Sequence, residues 1–335
     1  MDGGEVLEDS GCRVLVTGAT GYIGGHLIPV LLKRGHSVRA LARNPRKLES
    51  APWRDQVDVA KGDLSDAASL TAAFSDIDVV YYLVHSMGTS SNFEREEQRS
   101  AHNVVAAAEK AGVRRVVYLS GLHPDGDLSP HLRSRTAVGD ILIKSSIETL
   151  VLQAGIVIGS GSASFEMIRH LTDRLPLMTT PRWVHNKVQP IAVDDVLHYL
   201  ACAATAPVHE SRTWDLGGPD VLEYGDAMQV YAEVAGLRRR AIIALPVLTP
   251  SLASLWVGLV TPIPSGLARP LVESLHCNSV VLEHDIDKII PPPPAGLTGY
   301  RDAVSRALNS DGTAARGGRR RLARLSSPKS EKSPQ

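Results

Sequence analysis

The sequence predicts an α/β protein: a doubly wound parallel sheet with a smaller C-terminal region. Three observations carry this. Short apolar stretches alternate with helical ones through the first 158 residues. A glycine-rich turn, Thr17-Gly18-Ala19-Thr20-Gly21-Tyr22-Ile23-Gly24-Gly25, joins the first such pair. Past residue 158 the alternation gives way to shorter, less regular pieces. Strands and helices alternating at this pitch imply right-handed βαβ units, and therefore parallel strands.

Residues 13–17 are apolar enough for a strand buried on both faces. Residues 22–34 have helical apolar spacing and stop at Gly35. Strands are expected at 37–42 and 57–61, a short helix at 67–74 and a fourth strand at 79–84. Residues 93–111 form a long amphipathic pattern closed by Gly112, a residue suited to the left-handed end of a helix. A fifth strand is expected at 115–119. Residues 129–145 read as a helix, with Ser129 as its N-cap and Pro130 in the first turn. A sixth strand lies within 148–158. Beyond it, helices are expected at 165–175, 194–206, 225–235 and 300–308. Residues 189–193 read as a short strand, and 214–217 lead into a turn at Gly218-Pro219. The four prolines at 291–294 read as an extended spacer. The expected division is a disordered N-terminus at 1–11, a nucleotide-binding domain at 12–158, a substrate-side region at 159–310 and a basic disordered tail at 311–335.

Composition narrows the function. A hydrophobic share of 43% allows a sizeable core and excludes a wholly disordered chain. The 36 basic and 36 acidic residues cancel, but not locally. Residues 311–335 hold seven basic and two acidic side chains, net +5, which leaves −5 on the rest. An acidic body offers no general attraction for nucleic acid, and no aromatic residue interleaves Arg319-Arg320-Arg321. No specific nucleic-acid partner is expected. Cys12, Cys202 and Cys277 are far apart and form no CxxC, so reduced thiols and a cytoplasmic setting are expected. The twelve histidines form no HExxH, and no metal is expected. Residues 241–268 carry no charge, but Pro246, Pro250, Pro262 and Pro264 interrupt them. The proline-free part, 251–261, is too short to span a bilayer. Burial against the body is expected there. Leu252, Leu255, Trp256 and Leu259 recur at helical spacing, so peripheral membrane or protein docking through 251–261 and the basic tail is the alternative.

The glycine turn carries the chemistry. In a Rossmann fold Gly18 would permit the tight turn out of the strand. Gly21 would let the backbone approach a pyrophosphate, and Gly24 would let the helix pack closely on the strand. The exposed N–H groups around Thr20, Tyr22 and Ile23 would then hold the phosphates. Arg43 follows the second strand, where a carboxylate would select NAD(H) by bonding the ribose 2′-hydroxyl. A guanidinium there suits a 2′-phosphate, and Arg46 and Lys47 add positive charge. NADP(H) is therefore favoured over NAD(H).

These residues resemble the short-chain dehydrogenase/reductase superfamily, in its extended and atypical branches that include NmrA-like NAD(P)-binding proteins. The likeness covers residues 12–235. It implies that Asp63 and Leu64 of Gly62-Asp63-Leu64 contact adenine, and that Val84 and His85 of Val84-His85-Ser86 line the nicotinamide ribose. Ser120 falls where the family carries its catalytic serine. Tyr82-Leu83-Val84-His85-Ser86-Met87-Gly88, the 159–166 stretch and the 256–271 stretch resemble atypical bacterial members. The family's Tyr-x-x-x-Lys is replaced by His131-Leu132-Arg133-Ser134-Arg135. The i, i+4 spacing survives, so both side chains share a helical face. His131 can act as an acid or base near neutral pH, whereas Arg135 cannot titrate and would disfavour an imidazolium beside it.

Three readings follow. Ser120, His131 and Arg135 form a modified oxidoreductase site acting on a small carbonyl or enone molecule. Alternatively the chain binds dinucleotide without catalysis, as a redox sensor or assembly factor. The third reading, an epimerase or dehydratase of a nucleotide sugar, suffers from the missing tyrosine base.

Overall fold

The computed structural model describes residues 11–85, 92–123, 128–244, 275 and 277–310. The expectations placed on 1–10, Ser86–Gly88, 251–261 and the tail from 311 lie outside these residues.

Seven parallel strands form the central sheet. They are β1 (Arg13–Val16), β2 (Ser37–Ala42), β3 (Asp58–Lys61), β4 (Val79–Tyr82), β5 (Arg115–Gly121), β6 (Glu148–Ala154) and β11 (Arg212–Leu216). Their spatial order is β11-β6-β5-β4-β1-β2-β3. The chain thus works outward from β1 in one direction and then in the other, leaving a crevice between β1 and β4 at the strands' C-terminal ends.

Both faces of this sheet are buried, which explains the nearly unbroken apolar runs. Val14 and Val16 point to one side with Ala40, Tyr81 and Val117. That side is covered by α1 (Tyr22–Lys33) and α6 (Val193–Cys202). Leu15, Val80, Tyr82 and Tyr118 point to the other. There they meet α2 (Ala67–Phe74), α3 (Phe93–Ala111) and α4 (Pro130–Ile143). The fold class expected from the alternation is the one observed.

Helix α1 contains Pro29, which lacks the N–H that would bond the Gly25 carbonyl one turn back. The Trp53 indole N–H donates to that carbonyl at 3.1 Å instead. This contact seats the 45–56 segment, which follows β2, against α1.

The remaining elements form a third core. They are β7 (Val157–Ile158), α5 (Ala163–Arg174), β8 (Leu177–Thr180), β9 (Lys187–Val188), β10 (Ile191–Ala192), β12 (Leu222–Glu223), α7 (Tyr224–Val234), β13 (Ala241–Ala244) and α8 (Tyr300–Ser310). Phe165, Ile168, Met178, Trp183, Tyr231 and Val304 fill its centre. Two features were not expected from periodicity. Residues 212–216 join the central sheet as its edge, pairing with β6. Strands β8 and β13 pair in parallel although 64 residues separate Leu177 from Ala241. Residues 277–283 are sewn to the sheet's C-terminal side by Ser279 Oγ to Leu122 O (3.0 Å) and Leu282 N to Asp215 Oδ2 (2.9 Å).

Arg115 ties three elements together. Its guanidinium donates to Glu148 Oε1 (2.5 Å) and to the Ala203 and Ala206 carbonyls just past α6 (2.6 and 2.7 Å). Arg115→Met should leave these acceptors short of donors and cost about 3 kcal/mol. A urea midpoint lowered with an unchanged slope would show it. An unmoved midpoint would mean that water replaces the arginine.

Candidate functional site

The site begins where β1 ends. Thr17 Oγ1 donates to the Tyr81 carbonyl (3.0 Å) and accepts from Leu83 N–H (3.1 Å), fastening the ends of β1 and β4 together. Gly18 then turns the chain at φ +71°, and a Cβ there would lie 2.7 Å from the Leu83 carbonyl oxygen. Gly21 N–H closes the turn on Gly18 O at 2.8 Å. Gly21 also caps α1 without a side chain, so the first N–H groups of the helix stay open to an anion. A Cβ on Gly24 would sit 2.4 Å from Gly18 O. Loop and helix touch backbone to backbone.

From this loop a cleft of about 660 Å³ runs along the strand ends. This size suits a cofactor site. Gly18, Thr20 and Gly21 line it, as do Arg43, Asp63, Leu64, Val84 and His85. Arg43 is exposed at the end of β2. Asp63 accepts from Ser65 N–H (2.9 Å) and Ser65 Oγ–H (2.8 Å). These bonds, led by the backbone one, hold its carboxyl below the usual range, and the charges of Arg43 and Arg99 add to the effect. The Leu64 carbonyl accepts from Asn103 Nδ2 at 2.8 Å.

Tyr22, Ile23 and Gly24 do not line this cleft. The Tyr22 ring packs on His26, with centroids 4.5 Å apart, and approaches Gly159 and Gly161. Ile23 packs against the main core, and Gly24 is spent on the loop contact. Glu96, Arg99 and Ser100 of α3 do line the cleft, and sequence reasoning missed them. The available signal was a polar stripe on α3, where these residues and Asn103 recur at three- and four-residue steps.

Ser120, His131 and Arg135 do not line this cleft; His131 and Arg135 lie close enough to its wall residue His85 for their charges to act on it. Ser120 closes β5, and its buried Oγ has no hydrogen-bond partner among the described residues. His131 and Arg135 lie one turn apart on α4, whose first turn is capped by Ser129 Oγ accepting from Leu132 N–H (3.3 Å). His131 is buried, its ring 6.2 Å from that of Phe93. Arg135 Nη1 reaches to 3.0 Å from where a Cβ on Gly121 would be, and its buried Nε has no hydrogen-bond partner among the described residues. Burial holds the His85 imidazole well below its ordinary range, reinforced by the charge of Arg135 and by His131, so His85 is neutral at pH 7. Tyr118, also missed, stacks edge-on between Tyr82 and His85. Its hydroxyl donates to the Arg135 carbonyl (3.3 Å), and burial pushes its phenol up to about 12. In the sequence it reads as one more apolar-strand aromatic.

The glycine contacts and the open helix end fit a dinucleotide's pyrophosphate. Gly24→Ala should therefore push α1 off the loop and weaken NADPH binding by about tenfold or more, ~1.4 kcal/mol. Isothermal titration would measure it. Unchanged affinity would mean that the helix shifts without cost.

Comparison with known proteins places this geometry. Residues 18–156 match the NAD(P)H-binding family. A 3 beta-hydroxysteroid dehydrogenase/Delta 5-->4-isomerase of Mycobacterium tuberculosis is 38% identical over 118 residues. That match covers 32% of this chain and only 31% of the relative's length. A ceramide reductase of Caulobacter vibrioides is 28% identical over 302 residues, 87% of this chain and 93% of its own. Among solved structures, Citrobacter sp. triphenylmethane reductase complexed with NADP(H) superposes with a TM-score of 0.69 at 21% identity. It covers 88% of this chain and all of its own. At that identity the likeness is one of fold. The phosphate loop, the strand order and the family match agree on an NAD(P)H-binding Rossmann domain over residues 18–156.

Proposed function

We propose that this chain is an NADP(H)-dependent oxidoreductase that reduces a carbonyl or enone acceptor. The observation that carries the reading is a pair of buried polar atoms without a hydrogen-bond partner among the described residues, Ser120 Oγ and Arg135 Nε, the latter from a residue whose charge acts on His85 of the cleft wall. A buried polar atom left unsatisfied costs about 1–3 kcal/mol. Two such atoms beside a dinucleotide cleft support a place where a ligand's oxygens complete the bonding. When bound, the dinucleotide supplies hydride to the acceptor carbon. Ser120 Oγ–H donates to the acceptor oxygen and polarises the carbonyl. His131 passes a proton to that oxygen as negative charge grows on it. The Arg135 guanidinium donates to oxygen atoms of the bound ligands. The neutral His85 adds no second positive charge. The likeness to a ceramide reductase over most of the chain supports an acceptor carried on a long apolar molecule.

The preference for NADP(H) rests on Arg43, exposed on the cleft wall, because the residue after β2 is a guanidinium and not the carboxylate that would receive a 2′-hydroxyl. Bonds to a charged group are worth about 1.5–3 kcal/mol, or roughly tenfold or more in affinity. Arg43→Ala should weaken NADPH by that factor and leave NADH unchanged. Tighter binding of NADH than NADPH by the unaltered protein would overturn the preference.

A second reading, dinucleotide binding without turnover, has one observation in its favour. The Tyr118 phenol beside the cluster is turned onto the Arg135 carbonyl, and its proton is held tightly. Turnover separates the two readings. Under the first, His131→Ala lowers the rate by about 100-fold with NADPH affinity intact. An unchanged rate would remove His131 from the chemistry. The absence of turnover on ketones, enones and quinones alike, with NADPH still bound, would favour the second.

A further inference from the structure

Four large apolar side chains are well exposed among the described residues: Leu177, Val221, Ile243 and Leu282. Two of them share one small face. In the β8–β13 ladder Leu177 lies beside Ala241, and Thr179 beside Ile243. Strand alternation turns Met178 and Thr180 inward, so Leu177, Thr179, Ala241 and Ile243 look outward together. Leu177 is 55% exposed and Ile243 is 50% exposed.

Basic residues stand at both ends of this face. Arg238 and Arg239 lead into β13, and Arg182 follows β8. All three are exposed, and none has an ion pair or hydrogen bond among the described residues. Their neighbour Arg240 serves the fold instead. Its backbone is clamped by both amide atoms of Gln229 (2.7 and 3.0 Å), and its Nε donates to Thr172 O at 2.8 Å. The platform is therefore fixed while the other arginines face water. Of the carboxylates on adjoining elements, Asp173 accepts from the Tyr231 hydroxyl and Glu223 pairs with His185, while Asp226 is exposed.

We propose that this face docks the protein on an anionic membrane surface. The apolar side chains enter the headgroup boundary, and the arginines meet lipid phosphates. Charge complementarity favours lipid over a second copy of the chain. Two such faces would oppose like charges, and two exposed apolar side chains fall far short of the ~800 Å² per partner that a stable interface needs. In the sequence, β13 also opens the 28 uncharged residues at 241–268, a composition suited to an apolar boundary.

Flotation of the full chain with vesicles tests this, comparing phosphatidylcholine alone with the same lipid containing a quarter phosphatidylglycerol. Binding should require the anionic lipid and fall with added salt. It should drop at least about tenfold in Leu177→Ser/Ile243→Ser, and likewise in Arg238→Glu/Arg239→Glu. It should persist when Arg319, Arg320 and Arg321 are changed to Ser. An unchanged melting temperature and NADPH affinity would show that each variant is folded, and the charge variant stands if the apolar one is not. Binding retained in both face variants, or lost only in the tail variant, would overturn the proposal. So would a dimer in sedimentation that the face variants dissociate.

Discussion

The site depends on one close approach: the Gly18 carbonyl against the backbone of Gly24, with no room for a Cβ between them. This contact sets how near α1 comes to β1, and hence where the helix's open N–H groups stand. Thr17 fixes the other side of the crevice by stitching β1 to β4. With these distances set, Arg43, Asp63 and His85, each just past the C-terminal end of a sheet strand, fall along one cleft. The parallel sheet supplies the rigidity, because burial on both faces leaves its strands no alternative register.

Legibility in the sequence followed the range of the interactions. The strands and helices up to residue 158 could be read because each satisfies its own periodicity and ends at its own glycine or cap. Strand β11 was only half visible. Residues 212–216 look like a loop approach until β6 offers an open edge. The β8–β13 pair was not visible, since neither four-residue strand means anything without the other. Within the site, the glycine turn was legible because a backbone constraint leaves a residue signature. Arg99 and Ser100 were not, because a helix facing a cleft looks like a helix facing water. Tyr118 was hidden for the opposite reason: a buried phenol on a central strand looks like core.

The His131 and Arg135 pair differs from a tyrosine–lysine pair in how it handles charge. A lysine beside a phenol lowers the phenol's pKa and can lose its own proton. Arg135 does neither; burial first, and the Arg135 charge second, keep the His85 imidazole neutral. The phenol that remains, Tyr118, lies deeper and is held in its protonated form. Where a tyrosine–lysine pair has a phenol and an amine, this chain carries the His131 imidazole and the Arg135 guanidinium.

Pro29 and Trp53 bear on the order in which a ligand settles. Because the indole fills a bond that the helix itself cannot make, lifting the 45–56 segment away would strand a part-buried carbonyl. The wall just past Arg43 is thus held in place before a ligand arrives, and less ordering entropy remains to be lost there. The adenosine half of a dinucleotide meets a finished mould and can dock first at close to encounter speed. The nicotinamide half then arrives as a tethered group, at an effective concentration set by the pyrophosphate linker rather than by the solution.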